Sequence, residues 1–203
     1  MKGLKDLEFV VFDVETTGLS PNTGDRIVEI AALKVKNFKI LDRFETLVNP
    51  QREISYGAFM VNGITQAMVE EAPTAREILP SVSKFFKNSY LIGHNINFDL
   101  GFLYNEFNLV GSPAPDYQAI IDTVQMSRKL LPSLARHSLS SVSYALGIVE
   151  SQRHRAMADV EMTCQVFYQL LIKAKEQKID NFQTIIDLFS LSHNRTKWAP
   201  RDA

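Results

Sequence analysis

The chain has a single cysteine, Cys164, among its 203 residues. No disulfide can form within it, which excludes a disulfide scaffold and suits a reducing, cytoplasmic setting. It has no uninterrupted apolar run approaching about 18 residues, the length a membrane-spanning helix needs. The short run Phe9–Val14 near its start ends in acids, unlike a secretory leader. The expectation is a soluble protein with no membrane contact. It also lacks an excess of charge of either sign: 22 Lys and Arg against 23 Asp and Glu leave a net charge of −1. That counts against a protein that wraps duplex nucleic acid. It says little about one that grips a few nucleotides, where bound cations supply positive charge. No repeat at a period of about 20–50 residues is evident, which argues against a solenoid.

What is present is an ordinary globular balance, 45% hydrophobic and 22% charged, long enough to bury a core without metal or disulfide. Three strands are read first: Glu8–Val14, Arg26–Val35 and Phe38–Val48, separated by turn clusters around Gly18–Asp25 and Lys36-Asn37. Short connections favour an antiparallel meander. Helix and strand then alternate. Thr74 caps a helix to about Lys87, Tyr90–Gly93 is a strand, and Asn97–Asn108 a helix. Ala119–Asp122 is a strand followed by a helix to Leu131, which Pro132 ends. Ser138 or Ser140 opens a helix ending near Gly147, and Ala158 to about Lys175 is a long amphipathic helix. The order predicts an α/β fold, a mixed five-stranded sheet (antiparallel meander, then α-β-α-β-α) flanked by helices. Residues 1–175 form this domain, and 176–203 a tail with one short helix, Phe182–Phe189.

Three constellations carry chemistry. Asp13-Val14-Glu15-Thr16-Thr17-Gly18 puts two carboxylates two residues apart at the end of an apolar strand, hence on one face. Unpaired, they repel; a hard divalent cation between them removes the repulsion. The following Thr16-Thr17-Gly18 offers backbone N–H groups and a turn that a substrate backbone can approach closely. The second, Gly93-His94-Asn95-Ile96-Asn97-Phe98-Asp99, joins a strand to a helix start; the third, Arg153-His154-Arg155-Ala156-Met157-Ala158-Asp159, leads into the long helix. Read singly, each is ordinary. Asp13 and Glu15 are a solvated strand end, Asp99 and Asp159 helix-start acids, and His154 a surface histidine in a basic loop. Their joint occurrence is not ordinary, because each acid lies where a regular element meets a loop, and such junctions can converge at one end of an α/β sheet.

The ordered set D-x-E-T-T-G, G-H-N-x-x-F-D and H-R-A-x-x-D resembles the proofreading 3′→5′ exonucleases of the DEDD class, His-containing branch, of the kind represented by the epsilon subunit of bacterial DNA polymerase III. The resemblance runs over about residues 7–172 and includes Val61-Asn62-Gly63-Ile64-Thr65 and Leu146-Gly147-Ile148. It implies a ribonuclease-H-like fold and two divalent cations, Mg²⁺ or Mn²⁺. Asp13 would bridge both, Glu15 and Asp159 would complete the site of the attacking water, and Asp99 would help hold the second ion through water. His154 would take the proton from that water. Thr16 would donate its backbone N–H to the terminal 3′-hydroxyl, with Glu15 accepting from it. Thr17 and Gly18 belong to the same substrate contact, His94, Asn95 and Phe98 would line the substrate groove, and Asn62 and Ile64 would lie near the last bases. The implied partners are a single-stranded nucleic-acid 3′ end and a replicative DNA polymerase subunit. An RNA-trimming exonuclease would use the same chemistry, and an inert nucleic-acid-binding module could keep the same fold.

Lesser signals remain. Among Arg128, Lys129, Arg136, Arg153 and Arg155, the pair flanking His154 is the one expected to reach phosphates. Cys164 sits on the apolar stripe of its helix. Gln183–Phe189 resembles the short apolar motifs that dock on the bacterial sliding clamp, while the helical spacing of Phe182, Ile185, Ile186 and Phe189 also fits simple packing on the domain.

Overall fold

The computed structural model describes Leu4 and residues 7–149 and 155–191. Strand β1, Glu8–Thr16, pairs with β2, Ile27–Lys36, which pairs in turn with β3, Lys39–Leu47. All three are antiparallel, as the short turns dictate. Two further strands, β4, Tyr90–Gly93, and β5, Ile120–Asp122, add in parallel to the other edge of β1, giving the order β3-β2-β1-β4-β5. The central strand is covered on both faces, so its sequence reads as a continuous apolar run rather than an alternation.

Side-chain alternation along β1 divides the core. Val10, Phe12 and Val14 pack with helix α3, Ala75–Phe86, and helix α4, Asn97–Val110. Phe9 and Val11 face α5, Thr123–Leu130, α6, Leu139–Ala145, and the long α7, Ala156–Glu176. The result is the expected α/β sandwich of helices around a mixed sheet. The Thr74 cap is a capping box: the Thr74 hydroxyl and backbone N–H both reach the Glu77 carboxylate.

Two helices absent from the sequence reading fill the crossover from β3 to α3. They are α1, Tyr56–Asn62, and α2, Gln66–Val69. Each is too short to display a 3.6-residue stripe. Ser55 accepts from the Ala58 N–H at one end of α1, and Gly63 closes the other in the left-handed region.

The short helix expected after the long one is present, and of its two expected roles the structure shows packing on the domain. Helix α8, Phe182–Phe189, is integral to the core. Phe182 stacks edge-on against Phe9 (5.5 Å) and Tyr90 (5.1 Å), and Ile185 and Phe189 are buried with it. The Leu191 N–H then donates to the Ile120 carbonyl, tying the following residues to β5. Within Gln183–Phe189, Ile185 and Phe189 are turned inward and Ile186 is half-buried, while Leu188 stays exposed. Phe182→Ala is expected to destabilise the protein by about 3–5 kcal/mol, the usual cost of emptying a buried aromatic site. Urea unfolding would measure it; a change under about 1 kcal/mol would mean α8 is a dispensable appendage after all.

Candidate active site

Strand β4 is short. Its register with β1 ends at Val11↔Ile92, so the last residues of β1 project beyond it. At Gly93 the chain turns back sharply; a Cβ there would sit 2.8 Å from the Ile96 side chain, and Asn95 adopts a left-handed φ of 66°. The turn starts α4 across the gap. Asp99, in the first turn of α4, accepts a hydrogen bond from the Val14 N–H at 3.1 Å. A buried carboxylate thus occupies the edge of β1 that β4 leaves.

Asp13 and Glu15 lie on the face of β1 that α7 covers, and Asp159 stands in the first turn of α7. Asp13, Glu15 and Asp159 each present a carboxylate oxygen within 4.8 Å of the others. Oxygens around one octahedral ion with bonds near 2.1 Å lie roughly 3–4.2 Å apart. The trio therefore fits a hard divalent cation after a shift of well under an ångström, and an all-carboxylate donor set suits Mg²⁺ or Mn²⁺ better than a soft metal.

A fifth acid, missing from the sequence reading, completes the corner. Glu29 of β2 is the cross-strand partner of Glu15. It is almost fully buried, 1% exposed, yet it holds a forked ion pair: the Arg155 Nε lies 3.2 Å from both its oxygens, and an Nη 2.6 Å from one. Glu29 also accepts from the Ala156 N–H at 3.0 Å, so it caps the start of α7 from the neighbouring sheet. Arg155, expected to reach a phosphate, is committed to this pair instead. A lone Glu inside the otherwise apolar run Ile27–Leu33 was the available signal.

The charges are mutually unfavourable. Burial raises Asp13 well above the ordinary carboxylate range, and Asp99, Glu15, Asp159 and Glu29 push it further. Glu15 is driven up to about 7, first by burial, then by Asp159 and Glu29, with partial relief from the Asn62 hydrogen bond and Arg155. Asp99 is raised chiefly by burial, against the pull of its N–H donors.

Beside the carboxylates lies a cavity of about 470 Å³ with largely apolar walls, among them Val14, Leu19, Ala58, Val61 and Phe98. Thr16, Gly18 and Asn62 are also part of the wall. Asn62 donates to the Thr16 carbonyl, linking α1 to the end of β1. Gly18 lets the Asp25 carboxylate pack close to the backbone, since a Cβ there would sit 2.4 Å from it and push it aside.

Other expected substrate residues have structural work. Thr17 is buried, its hydroxyl donating to Asp25 and its backbone bonded to Arg26 and Ser55. Ile64 is fully buried against Val28 and Val69, so its side chain supports the wall from behind and cannot line the groove. Asn95 is exposed, with its N–H bonded to Asp122. Both ring nitrogens of His94 are engaged, one with the Thr123 hydroxyl and the other with the His137 carbonyl, each at 2.9 Å. Burial lowers His94 to about 4. It is neutral near pH 7, donating to the carbonyl and accepting from Thr123. It ties the end of β4 to α5 rather than standing free in a groove. His154 and Arg153 lie outside the described residues.

Comparison with known proteins agrees with this geometry. Residues 10–167 match the RNase_T family model, described as exonuclease. The PolC-type DNA polymerase III of Caldanaerobacter subterraneus subsp. tengcongensis is 39% identical over 178 residues, covering 88% of this chain. The chain spans only 12% of that relative's length. Exonuclease X, solved in complex with 5′ overhanging duplex DNA, superposes with a TM-score of 0.67 at 25% identity, covering 89% of this chain and 98% of its own. E. coli exonuclease I in complex with a dA16 oligonucleotide shares the fold, with a TM-score of 0.73 at 20% identity over 90% of this chain and 46% of its own. The ribonuclease-H-like fold expected from the sequence is therefore the observed one. With Asp13, Glu15, Asp99 and Asp159 all inside the matched span, the chain belongs to the exonuclease family.

Proposed function

We propose that this protein is a metal-dependent 3′→5′ exonuclease that releases nucleoside monophosphates from single-stranded DNA ends, as in proofreading during replication. The convergence of Asp13, Glu15 and Asp159 beside an apolar cavity carries this reading. The similarity to a PolC-type DNA polymerase III and to DNA-bound exonuclease X supports DNA as the polymer. A replicative polymerase subunit is the corresponding partner. The lone, buried Cys164 suits a cytoplasmic setting, and among the described residues no helix is long and apolar enough to cross a membrane.

In this reading Asp13, Glu15 and Asp159, with Asp99 beside them, would hold two divalent cations, Mg²⁺ or Mn²⁺. The bound cations supply positive charge to the scissile phosphate and make a coordinated water acidic. The chain's own groups do the rest. The apolar walls take the terminal base and exclude water from it. Phe98, half-buried against Phe102 at 5.0 Å between ring centroids, gives a firm flank for stacking. Glu15 and the Thr16 backbone grip the free 3′-hydroxyl, and Asn62 holds Thr16 in place. His154 serves as the general base.

A 5′-labelled single-stranded DNA incubated with Mn²⁺ should yield a ladder of one-nucleotide losses from the 3′ end, and Asp13→Ala should abolish it while the fold survives. Retained cleavage in that variant sinks the assignment; faster loss from a matched RNA would move the substrate to RNA. His154→Ala should lower kcat by roughly 10²–10⁴-fold, the usual worth of a positioned base, and an unchanged rate at neutral pH removes it from the reaction. The raised carboxylates also set a pH dependence for the metal-free protein. Glu15 binds its proton more tightly folded, near 7, than unfolded, near 4.5. Its contribution to stability is therefore fully present below the unfolded value and lost as pH rises through about 7. Thermal unfolding in chelator should show Tm falling between these values, with a shallower fall for Glu15→Gln; a slope unaffected by that change would contradict the burial of charge at the site.

A further inference from the structure

Asp13 and Glu15 belong to one strand, and their separation is set by the backbone. Asp159 does not. It arrives from α7, 144 residues after Glu15 in the chain (159 minus 15), and its place depends on whatever fixes the start of that helix. The residue before the helix, Arg155, has no side-chain cap of its own. What fixes the helix start is Glu29, opposite Glu15 in the β1–β2 register, through the Arg155 fork and the Ala156 N–H.

We propose that the Glu29–Arg155 pair is a positioning device for the metal cradle: it sets Asp159 against Asp13 and Glu15 and keeps the Arg155 guanidinium off those carboxylates. This rests on the metal-dependent reading above. Three features of the geometry support it. A fork fixes orientation as well as distance, so it controls the rotation of the first turn of α7 and not merely its contact with the sheet. The same carboxylate takes the first N–H of the helix, leaving Glu29 bonded on both sides of the 155–156 peptide unit. Finally, Arg155 is 43% exposed at its side chain and senses the charge of Glu15. Released from Glu29, it would be drawn to the acids that should receive cations. A burial anchor alone would need none of this, since Ala156 and Val160 already pack in the core.

The test compares Glu29→Gln, Arg155→Lys and Asp159→Asn. Mn²⁺ affinity is measured by calorimetry on the full chain, with kcat and KM on single-stranded DNA. Glu29→Gln keeps the shape and an acceptor for Ala156 but loses the charge. It should weaken Mn²⁺ binding by roughly 10–100-fold, the usual effect of losing an outer partner of a ligand, and lower kcat with KM little changed. Arg155→Lys, which keeps the charge and loses the fork, should move both quantities the same way by less, and it serves if the first variant folds poorly. In an Asp159→Asn background the Glu29→Gln effect should be clearly smaller, because the part that acts through Asp159 is lost while the release of Arg155 toward Asp13 and Glu15 remains. The proposal is overturned if Glu29→Gln lowers Tm while Mn²⁺ affinity and kcat hold, or if its effect persists undiminished without Asp159. Should Asp159→Asn itself leave Mn²⁺ affinity unchanged, the cradle assignment fails first and the positioning role falls with it.

Discussion

Carboxylate repulsion is the constraint on which the rest of this structure turns. Asp13, Glu15, Asp99, Asp159 and Glu29 are gathered around one end of one strand, and Asp99 and Glu29 are almost wholly withdrawn from water. Like charges brought this close raise one another's pKa and oppose folding. Nothing in the hydrophobic core requires them to meet. The cluster persists because its neighbours hold it, through backbone donors to Asp99, a guanidinium on Glu29, and an amide from Asn62 at Glu15. Asp13, Glu15 and Asp159 still present oxygens within 4.8 Å of one another, Asp159 raising the pKa of both the others, and that crowding is the strongest physical argument for a cation in the corner.

The topology supplies the corner. Three strands run parallel, and β1 outreaches β4, so a notch opens beside its carboxyl end. Ligands in open α/β sheets gather outside the carboxyl ends of strands, because loops there diverge to either side. Here the divergence is specific. The Gly93–Asn95 turn carries Asp99 in from one face of the sheet, and α7 carries Asp159 in from the other. The antiparallel neighbour β2 contributes Glu29 directly alongside. Asp13 and Glu15 come on β1 and the other acids each on a different element, which explains how Asp159, remote in sequence, comes to present an oxygen within 4.8 Å of Asp13 and Glu15.

Much of this was legible beforehand, and the misses have physical reasons. Long, regular features were readable. The buried run of β1, the Thr74 cap and the stripe of α7 declare themselves by pattern, and the acids by their ordered motifs. Short or inverted features were not. Helix α1 buries only Asn62 and exposes Tyr56, Met60 and Val61, so it has no apolar face to detect. Ile64 and His94 stand inside readable motifs, yet one is sealed behind the wall and the other is consumed as a latch. A motif reports that a residue type is needed, not which way it faces. Glu29 was passed over for the opposite reason: it sits in a strand whose apolar pattern invites reading straight through it. The tail reads two ways in sequence because a short apolar helix looks alike whether it is docked at home or waiting for a partner, and only its stacking on Phe9 and Tyr90 decides.

The distribution of ion pairs points to a division of labour between stability and geometry. Two Arg–Glu forks involve a carboxylate buried to about the same degree, Glu29 with Arg155 and Glu106 with Arg26. Both are rooted at the beginning of β2. One reaches α7, which carries Asp159; the other reaches α4, which carries Asp99, and there too the carboxylate also takes a backbone N–H, that of Ile27. Exposed pairs such as Arg43–Glu161 and Lys173–Glu176 lie elsewhere and contribute little to stability. Burying a carboxylate beneath a guanidinium is a poor way to gain stability, since well-packed apolar groups do as well or better. Its advantage is directional. The two helices that deliver acids from outside β1 are each pinned to the same strand by a contact that specifies angle as well as distance. A sheet whose core could be packed in many ways is thereby restricted, at this one end, to the arrangement in which the carboxylates face each other.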